Sequence, residues 1–244
     1  MSTSIAVLCE GPTDPPTICR LADRIIVAGV DWIDADEIET HRHYRGFRPA
    51  DPFMTWFEID ELAKQYNVKS RGHFDGLPLH GDGHNTRKAL ILLTLHAPAE
   101  TPVDAVIIFR DGDKEYDNRR AAITQVRDSL PLGIPVVVGV ANRMRECWVL
   151  NGFDPADDER GLFAAECTRV QFDPRTRAHD LSAADESEDR SPKRVLRSLC
   201  AGDSEREHRC IQNTALALLR TRGEATGLRQ FLEELEARLT AAFR

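Results

Sequence analysis

Three continuous apolar runs constrain this chain more than any other feature. Ile5-Ala6-Val7-Leu8-Cys9, the run from Val103 to Phe109 and the run from Ile134 to Val140 all lack the polar alternation of a half-exposed strand. Such runs mark strands buried on both faces, the habit of parallel sheets. Helical patterns separate them. Ile18, Leu21, Ala22, Ile25 and Ile26 recur at helical spacing and end near Gly29, and residues 116–129 read as a polar helix after the second run. Strand, helix, strand, helix, strand predicts an α/β fold built on a parallel sheet flanked by helices.

Carboxylates stand at the ends of two of these runs. Cys9 is followed by Glu10-Gly11-Pro12-Thr13-Asp14, and Phe109 by Arg110-Asp111-Gly112-Asp113. On one edge of a parallel sheet, Glu10, Asp111 and Asp113 would repel one another unless a divalent cation neutralised them. Mg2+, or Mn2+ in its place, binds such hard oxygen donors, and Gly112 lets the backbone turn tightly between the two aspartates. A bound ion polarises a phosphate and activates water, with Glu10 as acid, base or second-metal ligand. Asp and Gly are also ordinary turn residues; what singles these out is that both loops follow buried strands. Thr13 or Asp14 is placed to cap the helix that follows.

The first run entering Glu-Gly-x-Thr-Asp and the second entering Asp-x-Asp resemble a Toprim domain, the fold shared by topoisomerases, bacterial primases, overcoming-lysogenization-defect nucleases and small ribosomal-RNA maturases. The resemblance implies a Rossmann-like sheet, a metal-binding Asp111–Asp113 pair and an acid/base or metal role for Glu10. Arg145-Glu146-Cys147-Trp148-Val149-Leu150, Ser191-Pro192-Lys193-Arg194-Val195-Leu196 and Thr226-Gly227-Leu228-Arg229-Gln230-Phe231-Leu232 resemble segments of a stand-alone Toprim-like family often encoded beside ATPases in bacterial genomes. That likeness implies a nuclease acting in anti-phage defence, with a partner ATPase.

Glu146 follows the third run and is placed to complete the acidic cluster; a helix-start glutamate favoured by the dipole is the plainer reading. Trp148 reads as packing. Lys193, in a helix's first turn where a cation is poorly placed, is a candidate phosphate contact. Gly81-Asp82-Gly83-His84-Asn85-Thr86-Arg87-Lys88 leads into a helix over 86–96 whose start can bind an anion, with Arg87 and Lys88 as substrate contacts. Its spacing is not that of a Walker motif. His41 to Gly46 reads as a basic loop, with Tyr44 and Phe47 interleaved among Arg42, Arg45 and Arg48, and residues 54–66 as a helix.

These elements divide the chain into a core over 1–150, with an insertion or lid at about 30–85, and a helical extension over 151–244. Residues 173–192, polar and acidic, read as a mobile loop. A long helix is expected over 204–221. Leu228, Phe231, Leu232, Leu235 and Leu239 make one apolar stripe. It either closes the chain's own core or forms the interface of a homodimer, which is the expected state.

The bulk numbers narrow the partners. A net charge of −8 argues against a protein whose whole surface coats nucleic acid, but not against an enzyme that meets DNA or RNA through a metal and a local basic strip. It equally suits a rival reading, a non-catalytic Toprim-fold module that docks a partner ATPase. Six scattered cysteines, none in a C-x-x-C pair, offer no zinc module of the kind a primase uses and no disulfide framework. No apolar run approaches the roughly 20 residues of a spanning helix, so no membrane contact is expected. Met1-Ser2-Thr3-Ser4 runs straight into a strand without the features of a signal peptide, so a cytoplasmic location is expected.

Overall fold

The computed structural model describes residues 2–70, 73–74, 77–79, 81–98, 100–183 and 185–243. The elements run β1 (Thr3–Cys9), α1 (Asp14–Gly29), α2 (Ile38–His41), β2 (Arg42–Arg45), β3 (Met54–Thr55), α3 (Ile59–Gln65), β4 (His73–Phe74), β5 (Leu77–Pro78) and α4 (Gly81–Ile91). They continue β6 (Ala105–Asp111), α5 (Tyr116–Ser129), β7 (Val136–Ala141), α6 (Arg145–Asn151), α7 (Arg160–Val170), α8 (Pro192–Cys200), α9 (Ser204–Asn213), α10 (Leu216–Arg222) and α11 (Leu228–Arg238). The fold is α/β, with a five-stranded parallel sheet in the order β2-β1-β6-β7 and β3 also paired to β1.

The three apolar runs are strands of this sheet, as expected. β1 lies in register with β6, Ile5 opposite Ala105 and Leu8 opposite Ile108. Every residue from Ile5 to Cys9 and from Ala105 to Phe109 is fully buried. Burying an aliphatic side chain contributes about 1.5–3 kcal/mol, so these runs settle the sheet's centre. α1 covers it with Ile18, Leu21, Ala22, Ile25 and Ile26, the spacing read from the sequence.

The stretch 30–85 differs from its expected role as an insertion. It supplies β2 and β3, both parallel to β1. The supposed basic loop at 41–46 is mostly strand, and its charges are used inside the first unit. Arg42 makes a two-pronged bond to Asp23 at 2.9 and 2.8 Å, and the Tyr44 hydroxyl donates to the same carboxylate at 2.8 Å. Arg45 is fully buried and donates to the carbonyls of Gly46, Phe47 and Thr101. Residues 54–66 split into β3 and α3. Within the glycine-rich stretch 72–84, Gly72, Asp75, Gly76 and His80 lie outside the described residues.

The chain divides into two compact units. One is Met1–Arg110 with Asp117–Gly139 and Glu233–Arg244; the other is Asp111–Tyr116 with Val140–Leu232. The sheet is the core of the first, and only the last residues of β6 and β7 belong to the second. Helices α6 to α10 make up most of the second. Its loop over 173–192 is irregular, as expected, but anchored: Ala178 and Leu181 are fully buried, and Arg143 Nε donates to the His179 carbonyl. The helix expected over 204–221 breaks at Thr214 and Ala215 into α9 and α10. The C-terminal stripe is buried within the single chain, Leu228, Phe231, Leu232, Leu235 and Leu239 each at 1% exposure or less. It closes the chain's own core and is not a dimer face. All six cysteines are free thiols. Burial pushes the Cys9 and Cys147 thiols far up, which keeps them unreactive.

Candidate functional site

In the first unit the site residue is Glu10, in the loop after β1. Thr13, at the N-cap of α1, makes no side-chain cap. Asp14 instead reaches back: its Oδ2 accepts the backbone N–H of Glu10 at 3.1 Å and of Gly11 at 3.0 Å. The Asp of the Glu-Gly-x-Thr-Asp segment is thus the brace of the loop. Asp14→Ala would leave two shielded N–H groups without their acceptor, so it is expected to cost about 1–3 kcal/mol. Urea denaturation followed by circular dichroism measures this, and an unchanged midpoint would remove the brace.

The Glu10 carboxylate is met by guanidinium groups. Its Oε1 lies 2.7 Å from Arg110 Nη1 and 4.0 Å from Arg119 Nη1. Both arginines also face Asp82, Arg110 Nε at 3.7 Å and Arg119 Nε at 3.4 Å. The Arg110 guanidinium lies over the Trp56 ring, 4.9 Å from its centre, and Trp56 Nε1 donates to the Phe109 carbonyl at 2.9 Å. A metal is the counter-charge expected for Glu10; in this unit arginines supply one.

Asp82 holds this place because α4 begins at Gly81, five residues before the expected start. A carboxylate in the first turn suits the helix dipole. Gly83 packs closely there: a Cβ would stand 3.2 Å from Leu79 Cδ2 and 3.3 Å from the Ala122 carbonyl. The helix start expected to receive an anion therefore carries a carboxylate of its own. Arg87 and Lys88 sit on α4, and Lys88 Nζ is bound to Asp60 Oδ1 at 2.7 Å.

In the second unit the Asp111-Gly112-Asp113 turn is held by backbone and side chain. Asp111 Oδ1 accepts the Arg145 N–H at 2.8 Å. Gly112 donates to the Ala141 carbonyl and Asp113 to the Arg143 carbonyl, each at 2.8 Å. A Cβ on Gly112 would lie 2.6 Å from that Ala141 oxygen, so only glycine fits. Asp113 and Arg143 both adopt the left-handed backbone, at φ 48° and 83°. Such strain costs about 1–3 kcal/mol per residue and gathers at functional sites.

Glu146 occupies the first turn of α6. Arg145 Nη2 lies 3.4 Å from Glu146 Oε1, and Nη1 lies 3.2 Å from Glu207 Oε2. Arg145 thus orients Asp111 through its backbone and Glu146 through its side chain. Lys193 stands exposed in the first turn of α8. Trp148 is packing: it is fully buried, stacked 5.0 Å from Phe231, and donates to the Thr226 carbonyl at 2.7 Å.

Asp111, Asp113 and Glu146 therefore share one unit, and Glu10 belongs to the other. Sequence reading missed Arg119, Asp82 and Arg145 as charge partners. Its one available signal was Arg110, directly before the Asp-x-Asp segment. Among the described residues, no group of three or more His, Cys, Asp and Glu side chains is arranged to hold a metal ion.

The second unit also has a cleft of about 540 Å³, lined in part by Asp154, Glu159, Arg206 and Arg209. Its charges are turned on each other. Arg206 grips both oxygens of Glu159 at 2.8 Å and lies over the Phe153 ring. The Arg206 bond holds the Glu159 carboxyl down at about 2, from an ordinary 4.5. A depressed carboxyl stabilises the fold above its unfolded pKa and loses that contribution as pH falls through the folded one. Glu159→Gln is expected to lower stability at neutral pH, and its acid-unfolding curve to merge with that of the unaltered chain as pH falls toward 2. A constant gap across that range would contradict the assignment.

No family model matches this chain, and no curated protein or solved structure was found similar to it.

Proposed function

We propose that this protein is a Toprim-type, metal-dependent nuclease that hydrolyses phosphodiester bonds in DNA or RNA. The observation that carries this reading is the Asp111-Gly112-Asp113 turn, two strand-end aspartates on a strained, cross-braced backbone. Mg2+ or Mn2+ needs only one or two carboxylates and keeps several waters, and Asp111 and Asp113 are the carboxylates that would hold it. When bound, such an ion supplies Lewis acidity and lowers the pKa of its water. The chain's own part is orientation. The Arg145 N–H binds the Asp111 carboxylate, and the Arg145 side chain donates to Glu146. The resemblance assigns Glu10 the acid/base role, and Lys193 is an exposed cation for a phosphate. Anti-phage defence and a partner ATPase belong to the same reading. Among the described residues no helix is long and apolar enough to cross a membrane.

The arginine partners of Glu10 and Glu146 favour a second reading, a non-catalytic module that binds a partner. Cleavage assays separate the two. Purified protein is incubated with plasmid DNA, single-stranded DNA and total tRNA, with Mg2+ or Mn2+ against EDTA. Metal-dependent cutting that Asp111→Ala abolishes supports the nuclease. No cutting of any substrate, with no calorimetric Mg2+ binding, supports the binding module.

A further inference from the structure

We propose that a cleft at the N-terminal edge of the sheet, within the first unit, binds a small organic cation: an ammonium group carried on an apolar body. The cleft encloses about 820 Å³, and its walls include Trp32, His43, Glu100, Pro102, Asp104 and Phe243, all of the first unit. That volume falls in the range of about 300–1,000 Å³ typical of small-molecule sites. Residues 2–4 at the start of β1 also line it, and Asp104 leads into β6, which runs parallel to β1. Glu10 follows the far end of β1, seven residues long, which places the cleft roughly 20 Å away along the strand. The cleft is thus separate from the residues of the candidate reaction centre.

Trp32, Pro102 and Phe243 supply apolar wall, and Trp32 is 58% exposed. Val30 and Ile33, on either side of Trp32 in sequence, are buried, and the Ile33 N–H closes a turn on the Val30 carbonyl at 3.1 Å. The turn leaves the indole outside the core, where the His41 ring packs against it edge to face at 5.1 Å. Apolar surface held in water beside a cleft is surface that a ligand can bury. The indole face is also the best aromatic surface for a cation.

Glu100 and Asp104 supply the charge. Both are exposed, and neither pairs with a lysine or arginine among the described residues. Asp104 Oδ2 accepts the Ser4 N–H at 2.8 Å, while the Asp104 N–H donates to the Ser4 carbonyl at 2.8 Å. This exchange fixes the carboxylate at the sheet edge and gives it no counter-charge. Among the described residues no lysine or arginine lines the cleft. Arg45 reaches Thr101, a lining residue, but is itself fully buried with its donors spent on the carbonyls of Gly46, Phe47 and Thr101. His43 turns its Nε2 to the Pro49 carbonyl at 3.3 Å. Two carboxylates without a cation, in a cleft with an exposed indole, complement an ammonium and repel an anion. The apolar walls favour an organic cation over a metal ion that keeps its waters.

Calorimetric titration of the full chain with phenethylammonium, beside its uncharged analogue phenethyl alcohol, tests this. Of the three tryptophans Trp32 alone is exposed, Trp56 and Trp148 being 6% and 0% accessible. Protection of the fluorescence from acrylamide quenching therefore reports the cleft. The ammonium is expected to bind about tenfold tighter than the alcohol and to reduce quenching. Glu100→Gln combined with Asp104→Asn is expected to weaken its binding about tenfold, and Trp32→Leu about fivefold. The asparagine side chain keeps an oxygen acceptor for the Ser4 N–H, and thermal unfolding of each variant checks folding.

Equal affinity for the ammonium and the alcohol, or no binding of either, would overturn the proposal. Unchanged affinity in both the double variant and Trp32→Leu would trace the binding to general attraction of cations by a chain of net charge −8 and overturn it as well. Binding of a blocked glycyl-lysyl-glycine peptide in place of phenethylammonium would assign the cleft to a lysine side chain and defeat the small-ligand reading.

Discussion

Asp111→Ala is expected to lower metal-dependent phosphodiester cleavage on the order of 10³-fold, the scale at which removing one preorganised charge-stabilising group acts. The alanine variant has a second effect. Asp111 Oδ1 is the acceptor for the Arg145 N–H, so its loss also costs about 1–3 kcal/mol. Asp111→Asn separates the two. It keeps an oxygen acceptor for the Arg145 N–H but removes the negative charge that a divalent ion requires. Both variants should therefore be inactive, with Asp111→Asn closer to the unaltered chain in thermal midpoint. Full cleavage by Asp111→Asn would end the metal assignment. Lost cleavage in Asp111→Ala alone would trace the effect to the turn rather than to the charge.

The largest effect on stability is expected at Trp148. Its side chain is fully buried, stacked on Phe231, and bonded to the Thr226 carbonyl. Trp148→Ala removes that volume and leaves a cavity, at about 3–5 kcal/mol. For a chain of this size that corresponds to a thermal midpoint lower by on the order of 10 °C. Trp148→Phe should cost far less. It keeps a ring against Phe231, and the Thr226 carbonyl retains the Asn142 N–H at 2.8 Å. Circular dichroism melts of the two variants check this; equal losses would mean that the indole hydrogen bond, not the packed ring, supports the second unit.

The elements legible in the sequence were those whose signal is local. β1, β6 and β7 announce themselves as contiguous apolar runs, and α1 and α5 by spacing within a few turns. Where a distant partner supplies the stabilisation, the pattern misleads. Arg42, Tyr44 and Arg45 read as a basic loop because nothing nearby shows that Asp23 and the Thr101 carbonyl will receive their donors. The sequence places the start of α4 at Thr86 because Gly81 and Gly83 are poor helix formers. It begins at Gly81, with Gly83 packed closely against Leu79 and the Ala122 carbonyl. The C-terminal stripe was correctly seen as apolar, but periodicity does not say whether a helix buries its face against its own chain or another.

The same division runs through the candidate site. The sequence by itself determined that carboxylates stand at the ends of buried strands and that glycine sits between Asp111 and Asp113. Desolvating contiguous apolar side chains is a local property, and it carries the residues that follow along with it. Only the tertiary structure decided how those charges are balanced. Glu10 faces Arg110 and Arg119, with Asp82 alongside, and Arg145 serves Asp111, Glu146 and Glu207. Coulomb attraction depends on distance in space, and positions so far apart along the chain become neighbours only when the sheet and its helices close.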